Sequence, residues 1–337
     1  MASIRKHSSS SSTSVDEIKP WKIKVQIIRT CEGNNRESGN SVDMVLLDSS
    51  GTRIHTTIHE AFSKWISDIG SGKINKPNDG ETEIDIPQDL LITECKDPIK
   101  TIVNEVYGES FAQSLTNPDF YQEKAILCHA NDVDRINDYM LSQLPGQEKE
   151  CYSADSIPPA HSTANDDMIF PPEVLNSIKA SGLPDFKLRL KVGVPVMLLR
   201  DLNPYDGLCK GTRLQITRLE TFVLEARIIS GTKLGEKVLI PRIISYPTEA
   251  SFPIKMRRRQ FPLKLAFAMA IDESDQVQTL SKVGLYLPRR LFSRGQMYVA
   301  ISKVKSSAGL EVLITDTEGM PQEEIKNVVF KEVFQNI

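Results

Sequence analysis

The segment KLAFAMAIDESDQVQTLSKVGLYL, Lys264–Leu287, contains the pattern that decides the fold class. It begins as an apolar run, breaks into an acidic and amide-rich stretch, and resumes as the apolar run VGLYL. Apolar runs without polar alternation are typical of strands buried on both faces of a sheet. Loops that join buried strands often carry function. We therefore predict an α/β sheet in which the polar stretch between these two strands forms a functional loop.

The neighbouring sequence supplies a helix for such a sheet. KAILCHA, beginning at Lys124, is another continuous apolar strand, and NDVDRINDYMLSQLPG after it has the spacing of an amphipathic helix. Asn131 or Asp132 is expected to cap this helix, because short polar side chains accept hydrogen bonds from the first amides of a helix. The positions expected to face inward are Val133, Ile136, Met140 and Leu144. KECYSADS is expected to be the next strand, and this order is typical of an α/β protein.

A β-rich part interrupts this order. From Leu188 onward, the short strands LRLKVGVPVMLLRD, GTRLQITRLE, FVLEARIIS and EKVLIPRI follow one another, separated by glycines and charged turns. Several short strands in series predict a small barrel. We place this insert at about residues 188–245, within a region of 121–320, and expect a tail or helix over 321–337.

The N-terminal part of the chain has a different character. Residues 1–19 hold seven serines within fourteen positions and are expected to be disordered, because they cannot bury a core. Residues 20–58 contain WKIKVQIIRT, SVDMVLLD and RIHTTI, which predict a three-stranded β-meander. Residues 59–120 contain two helical patterns, HEAFSKWISDIG and PIKTIVNEVYG, and are interpreted as a helical connecting region.

The composition excludes several classes of protein. The chain has 337 residues, 40% of them hydrophobic and 25% charged. It contains no run of the roughly 18 apolar residues that a membrane span needs, so we expect no membrane association. The five cysteines form no CxxC pair, which argues against a zinc knuckle and fits a reducing compartment. His55 and His59 lie four residues apart, but in a predicted strand and turn, so we expect no metal site.

Charge is distributed unevenly along the chain, whose net charge is −3. Residues 68–120 hold eleven acids against four lysines, whereas residues 251–305 hold eleven lysines or arginines against three acids. A basic segment can bind phosphates locally even on an acidic protein, because the field follows local charge. A solvated surface of mixed charge is an equally good interpretation of the charge pattern alone.

Taken in order, segments from about Ala61 to Thr315 resemble the C-terminal half of the Pif (petite integration frequency) DNA helicases of plants and transposons, which are superfamily-one motors. The resemblance is carried by SDIGSGKINKPNDGETEIDIPQDLLI, DPIKTIVNEVYG, KAILCHANDVDRINDYMLSQLPG, LRLKVGVPVMLLRDLNPYDGLCKGTRLQI, the opening stretch and RGQMYVAISKVKS. It implies an α/β fold with a single RecA-like helicase lobe at 121–320 and a β-rich, small-barrel insert. It also implies that residues 59–120 come from the end of a first lobe.

The predicted N-terminal strands resemble a different family. PWKIKVQIIRT, SVDMVLLD and RIHTTI are similar to the start of the first oligonucleotide-binding (OB) fold in plant relatives of the replication protein A large subunit. A complete OB barrel has five strands. The three strands found here therefore imply a partial OB-like β-meander.

The family binds ATP and Mg²⁺ with a first-lobe motif, G-x-x-x-x-G-K-[ST], whose backbone amides hold the phosphates. In SDIGSGKI, Ser67 stands at the position of the first glycine and Ile74 at the position of the hydroxyl, and KLGEKV around Gly235 has the wrong spacing. We therefore expect that the first lobe is absent from this chain and that the chain alone binds no cofactor. ATP and Mg²⁺ remain the cofactors of the parent family.

The family's DNA-reading loop runs close to T-I-N-K-S-Q-G-Q-T-L and reads AIDESDQVQTL here. Ala270 replaces a threonine, Asp272 and Glu273 replace an amide and a lysine, and Val277 replaces a glycine. One residue is inserted near Asp275. Because an acid in place of lysine reverses a charge that faces phosphate, binding at this loop is expected to be weakened.

The family's arginine-finger motif, Y-V-A-x-S-R, ends in Lys303 here. Lysine keeps the charge but lacks the bidentate fork of arginine. Since a finger arginine can contribute about 10³–10⁵ in rate, we expect no ATPase activity from this chain alone. We assign no catalytic residue beyond noting Lys303 at the finger position.

The resemblance and the local charge together define a set of candidate nucleic-acid-binding residues. They are Ser274, Gln276, Gln278 and Thr279 in the loop; Lys255, Arg257, Arg258 and Arg259 in a basic run; Arg289, Arg290 and Arg294 before the finger helix; and Lys210 in CKGTRL. A solvated loop explains the basic run equally well. Trp21 and Phe62 could stack on bases, although core roles are favoured for both.

Three functional hypotheses follow. The first is a helicase-derived protein that binds single-stranded DNA weakly and has no ATPase or unwinding activity alone. The second is a lobe of an ATP-dependent DNA helicase that acts with a partner protein carrying the other lobe, with DNA repair, recombination and telomere maintenance as the family's processes. The third is a transposon-derived remnant without function. A nuclear location is expected, with the mitochondrion as the alternative because the N-terminus is acid-poor and contains Arg5 and Lys6.

Overall fold

The computed structural model describes residues 25–35, 39–48, 53–74, 80–109, 111–114, 117–157, 171–180, 182–231, 233–247, 256–272, 279–288 and 295–329. They form two compact units, Met1–Ser67 and Asp68–Ile337.

The helices are α1 Glu60–Gly70, α2 Pro98–Tyr107, α3 Pro118–Gln122, α4 Ala130–Gln143, α5 Pro172–Ser177 and α6 Gln296–Ile301. The strands of the first unit are β1 Val25–Asn35, β2 Gly39–Asp48 and β3 Arg53–His59. The strands of the second unit are β4 Gly80–Asp85, β5 Lys124–Cys128, β6 Lys149–Tyr152, β7 Ala154–Ser156, β8 Lys187–Leu190, β9 Pro195–Leu198, β10 Arg213–Leu219, β11 Val223–Ile228, β12 Lys237–Pro241, β13 Ile243–Ser245, β14 Arg257–Gln260, β15 Leu263–Leu265, β16 Ala268–Ala270, β17 Lys282–Leu287, β18 Leu310–Thr315, β19 Pro321–Gln322 and β20 Glu324–Val329.

The first unit contains an antiparallel sheet in the order β1-β2-β3. This order confirms the predicted three-stranded meander, while the assignment to an OB fold stays a prediction. In α1 the rings of Phe62 and Trp65 stack with their centroids 5.7 Å apart, and Phe62 is buried. The burial of Phe62 therefore supports the predicted core role of this residue. Trp21 and the predicted disordered tail, 1–19, lie outside the described residues.

The second unit is organised around the sheet β16-β5-β17-β18-β19, in which the first four strands are parallel and β19 is antiparallel. Parallel strands need crossover connections, and helices usually supply them. The helix α4 follows β5, and α2 packs on β17 through Ile102 and Val106. The predicted α/β class is therefore confirmed for this unit.

Close packing of α2 on the sheet predicts a measurable effect at Gly284. A Cβ atom at this position would lie 2.4 Å from a methyl carbon of Val106 and 3.0 Å from a methyl carbon of Ile102. Both distances are shorter than ordinary van der Waals contact. We expect Gly284→Ala to lower the free energy of unfolding by about 1–3 kcal/mol, the usual cost of an overpacked core. Urea denaturation followed by circular dichroism checks this value. Gly146→Ala provides no packing control because Gly146 has a positive φ of 99°, so Ala308→Gly, at an exposed position, is the better reference.

The β-rich insert is larger than the predicted 188–245. Its five-stranded sheet has the order β12-β11-β10-β9-β15 and so extends to Leu265, while the smaller sheets β13-β14-β7 and β6-β8 recruit strands from residues 149–156. The sequence missed β7 as part of the insert because its partner β14 lies about one hundred residues further along the chain. The insert and the parallel sheet share one hydrophobic core.

Three further predictions are corrected by the structure. The apolar run at the start of the opening stretch is two strands: β15 ends the insert, whereas β16 belongs to the parallel sheet. Helix α4 is preceded by His129, which makes no capping bond through its side chain, so neither Asn131 nor Asp132 is the cap. The segment predicted as a tail or helix contributes β19 and β20, and β20 pairs with β4.

Buried polar side chains fix the junction between the insert and the parallel sheet. Arg213 on β10 is fully buried and donates to the carbonyl oxygens of Gln122, Lys124 and Ala266 at 3.5, 3.0 and 3.1 Å. Asn137 on α4 donates to the carbonyl of Ala268 at 3.1 Å and accepts from the amide of the same residue at 2.9 Å. These bonds hold the chain where it leaves the insert and enters the parallel sheet.

Candidate nucleic-acid interface

A cleft of about 980 Å³ lies in the second unit beyond the carboxyl ends of β5 and β16. Ala270, the last residue of β16, and Ala130, the first residue of α4, line the cleft, and α4 forms one wall. The opposite wall is formed by residues 176–180 and 182–189 and is called the wall 176–189. Open α/β sheets bind ligands in crevices at the carboxyl ends of their strands, so this cleft is in the expected position for a binding site.

Most of the cations around the cleft are neutralised by neighbouring carboxylates. Lys179 lies 3.0 Å from Asp134, and Arg189 lies 2.6 Å from Glu148. Lys210, by contrast, makes no ion pair with any described residue, and its side chain is exposed. Its backbone amide donates to Asp201 at 2.6 Å, which fixes the position of the loop. Lys210 is therefore the cation best placed to meet a phosphate from solution.

A second lysine lies on the floor of the same cleft. Lys264 is partly exposed on β15, and burial lowers the pKa of its ammonium to about 8. The charge of Lys210 lowers this pKa further, while Asp185 and Asp134 raise it. The cleft therefore holds a lysine that is mostly charged at neutral pH and loses its charge in mildly alkaline solution.

The two ends of the predicted sensing loop are hydrogen-bonded to α6, the helix before the predicted finger residue, and to the residues that follow this helix. Asp272, where the loop begins, accepts a hydrogen bond from Gln296 of α6 at 2.8 Å. Leu280, where it ends, donates its amide to the carbonyl of Lys303 at 2.7 Å and accepts from the amide of Lys305 at 2.9 Å. The structure thus brings together the loop and the finger segment that the sequence singled out separately.

Lys303 and Thr279 both belong to this assembly. Lys303 follows Ser302, the C-cap residue of α6, and is partly exposed. Thr279 is exposed at the end of the loop, one residue before the strand bridge that joins Leu280 to Val304. Both positions are accessible to a ligand, and their proposed roles stay predictions.

The basic run Arg257–Arg259 does not act as a single patch. It forms strand β14, so the side chains alternate between the two faces of the sheet. Arg258 is 1% exposed and lies 2.6 Å from Asp155, so the prediction that it binds DNA is wrong. Arg257 donates to the hydroxyl of Ser156 at 2.8 Å, and Arg259 is exposed. Of the three, Arg259 alone faces solvent fully.

The remaining candidate residues lie outside the described part of the chain. They are Ser274, Gln276 and Gln278 in the loop, Lys255 in the basic run, and Arg289, Arg290 and Arg294 before the finger helix. Their proposed roles stay predictions. Glu273, which reverses the family's charge, also lies outside the described residues.

Sequence reasoning missed Lys264 and the role of the wall 176–189. The signal for Lys264 was available, since a lysine inside the apolar run LKLAFAMA is unusual for a doubly buried strand. The wall had no such signal, because its residues meet α4 only through the fold. Among the described residues, no three histidine, cysteine or acidic side chains are arranged to hold a metal ion, and no helix has the length and apolar character needed to cross a membrane.

Comparison with family models identifies two regions. Residues 173–219 match the family described as DNA helicase Pif1, 2B domain. Residues 14–73 match a family described as Domain of unknown function DUF223. The first match covers nearly all of α5 and the strands β8, β9 and β10. Part of the insert is therefore similar to the 2B domain of Pif1 DNA helicases.

The chain is also similar in sequence to Pif1 helicases over more than half of its length. It is 29% identical to the human ATP-dependent DNA helicase PIF1 over 239 residues, which are 70% of this chain and 33% of the human protein. It is 31% identical to the ATP-dependent DNA helicase PIF1 of Danio rerio over 194 residues, which are 56% of this chain and 27% of that protein. The chain spans about a third or less of the length of these relatives.

The comparison with solved structures also returns Pif1 helicases. The crystal structure of the Candida albicans enzyme matches 71% of this chain and 57% of its own length, with a TM-score of 0.46 and 21% identity. A crystal structure of Bacteroides Pif1 bound to single-stranded DNA matches 69% of this chain and 51% of its own, with a TM-score of 0.40 and 20% identity.

Proposed function

We propose that this polypeptide binds single-stranded DNA weakly and does not hydrolyse ATP on its own. The observation that carries the proposal is the cleft beyond β5 and β16, in which Lys210 and Lys264 supply positive charge next to the start of the predicted sensing loop. Similarity to proteins named as DNA helicases, including a matched 2B domain, supports DNA as the ligand. Phosphate contacts from lysine carry no sequence information, so little sequence preference is expected.

The part of the proposal that concerns ATP is based on three features of the chain. Lys303 replaces the arginine that the family uses to stabilise the transferred phosphoryl group, and lysine cannot form the same bidentate contact. Asp272 holds Gln296 through a hydrogen bond and adds negative charge at the start of the loop. The sequence of 337 residues contains no G-x-x-x-x-G-K-[ST] segment. Each of these features disfavours binding or turnover of a triphosphate by this chain alone.

The expected result for DNA is weak, salt-sensitive binding that depends on Lys210. Fluorescence anisotropy with a labelled oligothymidylate of about 16 nucleotides, a length that spans single-strand binding sites, measures the affinity at low and moderate salt. Lys210→Ala is expected to weaken binding several-fold and to reduce the salt slope by about one. Lys237→Ala removes the same charge outside the cleft, where Lys237 pairs with Glu225 at 3.1 Å, and is expected to have little effect.

Equal losses of affinity in the two lysine variants would contradict the assignment of the cleft. An absence of binding at low salt would favour the third hypothesis, a remnant without function. ATP turnover is expected to stay at background with and without the oligonucleotide. Turnover that is stimulated by DNA and abolished by Lys303→Ala would overturn the proposal.

A second candidate function is a helicase lobe that acts together with a partner carrying a phosphate-binding lobe. The bonds from Asp272 to Gln296 and from Leu280 to the Lys303 segment favour it, because they keep the predicted sensing loop coupled to the finger segment. Co-purification of such a partner, giving an ATPase that DNA stimulates, would support this candidate. A nuclear location is part of the proposal for either function, with the mitochondrion as the alternative.

A further inference from the structure

The small sheet β13-β14-β7 has one buried face and one face toward solvent. On the buried face, Ser245, Arg258 and Asp155 lie opposite one another in register. Ser245 is fully buried, and the side chains of Arg258 and Asp155 are each 1% exposed. Because side chains alternate between the two faces of a strand, the residues next to these three point outward. The outward residues of the three strands are Ile244, Arg257, Arg259, Ala154 and Ser156.

The register places these outward residues in two rows across the sheet. Arg259 lies between Ile244 and Ala154 in the first row. Arg257 lies beside Ser156 in the second row, and its Nε donates to the Ser156 hydroxyl at 2.8 Å. This hydrogen bond places both side chains on the same face. The two rows therefore contain two arginines and no acidic residue.

Tyr246 extends this surface at one end. It follows β13 directly and lies two residues after Ile244, so the same alternation directs it outward. Tyr246 is 48% exposed and Ile244 is 46% exposed. Single exposed apolar residues are common on protein surfaces, but tyrosine and arginine together are the residue types that dominate binding surfaces. The surface formed by Tyr246 and the five residues of the two rows is called the outer face.

The positive charge of the outer face is not neutralised by the described part of the chain. Arg259 is exposed and makes no ion pair with any described residue. Arg257 donates to a neutral hydroxyl, so it keeps its net charge. A strand advances about 3.3 Å per residue, which places the Cα atoms of the two arginines about 7 Å apart. Two charges at this separation suit a ligand with repeated negative charges better than a single small anion.

The apolar residues of the outer face narrow the class of ligand. Tyr246 and Ile244 present an aromatic ring and an aliphatic side chain beside the arginines, and such groups suit flat apolar partners. Duplex nucleic acid keeps its bases inside the stack, and an acidic peptide offers carboxylates without a regular series of flat rings. A single strand offers phosphates and uncovered bases together, and some proteins bind it on antiparallel sheets with exposed aromatics.

We propose that the outer face is a second binding surface for single-stranded nucleic acid, separate from the cleft. Arg257 and Arg259 contact phosphates, and Tyr246 stacks on a base. None of these three residues lines the cleft that contains Lys210. The inference rests on the proposed function for the choice of nucleic acid as the ligand, and it adds a surface that recognises bases as well as phosphates.

The first test removes the exposed arginine. Fluorescence anisotropy with labelled oligothymidylate and oligouridylate of about 16 nucleotides measures the affinity for DNA and for RNA. Arg259→Ala is expected to weaken binding several-fold and to reduce the salt slope by about one. Arg218→Ala is the matched control, because Arg218 is an exposed arginine of the insert that pairs with Glu220 at 2.7 Å. The control is expected to change the affinity little.

The second test removes the stacking ring. Tyr246→Ala is expected to weaken binding by about 5-fold or more, the usual effect of losing one stacked base, and Tyr246→Phe is expected to retain binding. An abasic strand of the same length has phosphates but no bases, so the unmodified chain and Tyr246→Ala should bind it equally. Phe222→Ala, which removes another exposed ring of the insert, is the control.

These variants separate the inference from the proposed function. If Arg259→Ala and Tyr246→Ala lose no more affinity than their controls while Lys210→Ala weakens binding, the outer face is rejected and the cleft stands. Binding of oligouridylate but not of oligothymidylate, with losses in both outer-face variants, would keep the outer face and reject the proposed DNA function. If polyglutamate competes as well as an unlabelled oligonucleotide, the surface recognises charge alone and the inference is wrong.

Discussion

Asp155→Ala is expected to lower the free energy of unfolding by about 3–5 kcal/mol, the usual cost of leaving one partner of a buried ion pair alone. The side chains of Asp155 and Arg258 are each 1% exposed, and their closest atoms are 2.6 Å apart. The guanidinium cannot reach water when its carboxylate is removed. Urea denaturation followed by circular dichroism gives the change, and Asp134→Ala is the control. The pair of Asp134 with Lys179 is exposed, so its loss should cost no more than about 1 kcal/mol.

The hydrogen bonds of Arg258 determine how far a second substitution can restore stability. Besides Asp155, Arg258 donates to the carbonyl oxygens of Leu175, Ile178 and Pro184 at 2.9, 3.1 and 3.0 Å. Replacing both charges, in Asp155→Leu with Arg258→Met, removes the stranded ion but leaves these carbonyls unpaired. We expect the double variant to be more stable than the sum of the single effects predicts, by at least about 1 kcal/mol. Additive effects would show that the two side chains do not depend on each other.

Arg258 also shapes the proposed binding cleft. The carbonyls of Ile178 and Pro184 belong to the wall 176–189 or border residues that line it. The buried guanidinium of Arg258 therefore stabilises this wall of the cleft through hydrogen bonds. We therefore expect Arg258 to support the cleft without touching a ligand.

The sequence predicts those parts of the fold in which local pattern and tertiary role agree. The apolar runs KAILC and KVGLYL pair as neighbouring parallel strands, as their continuous burial indicates. The helical spacing of α4 predicts its buried residues Val133, Ile136 and Met140. These elements are specified by a short stretch of chain, so no knowledge of distant partners is needed.

The parts that sequence could not predict depend on partners far along the chain. In the run RRR, the side chains of Arg258 and Arg259 are chemically identical, yet one is buried against Asp155 and the other is exposed. The choice depends on pairing between β14 and β7, which lie about one hundred residues apart. In the same way, the apolar run containing Lys264 divides into β15 and β16 because Asn137 and Arg213 hold the peptide groups between them. No local pattern contains that information.

The sequence also predicted only part of the candidate site. The resemblance to helicase motifs singles out Lys210, the loop and Lys303 one by one, whereas the hydrogen-bonded link between the loop ends and the α6 region is seen only in the structure. Lys264 does not follow from any motif, because its pKa depends on burial by the fold and on charges from Asp185 and Asp134. Physical environment, rather than residue type, makes this lysine distinct from Lys179 and Lys187.

Arg213→Met is expected to lower the free energy of unfolding by about 2–4 kcal/mol. The substitution leaves the carbonyl oxygens of Gln122, Lys124 and Ala266 without their donor, and each buried unpaired acceptor costs about 1–3 kcal/mol. Removal of a buried charge offsets part of this cost, since burial of the guanidinium is itself unfavourable and lowers its pKa. The three carbonyls come from α3, β5 and the segment between β15 and β16, so the loss falls at the junction of the insert with the parallel sheet.

Arg218→Met on the same strand is the matched control for this prediction. Arg218 is 71% exposed in its side chain and pairs with Glu220 at 2.7 Å on the surface, so its loss should cost less than about 1 kcal/mol. Hydrogen exchange locates the effect: in Arg213→Met, amides of β5 and β10 should exchange faster than those of β18, because the junction opens before the sheet. If both variants unfold at the same urea concentration as the unmodified chain, the carbonyls at the junction do not need Arg213. The insert would then be held to the parallel sheet by their shared hydrophobic core alone.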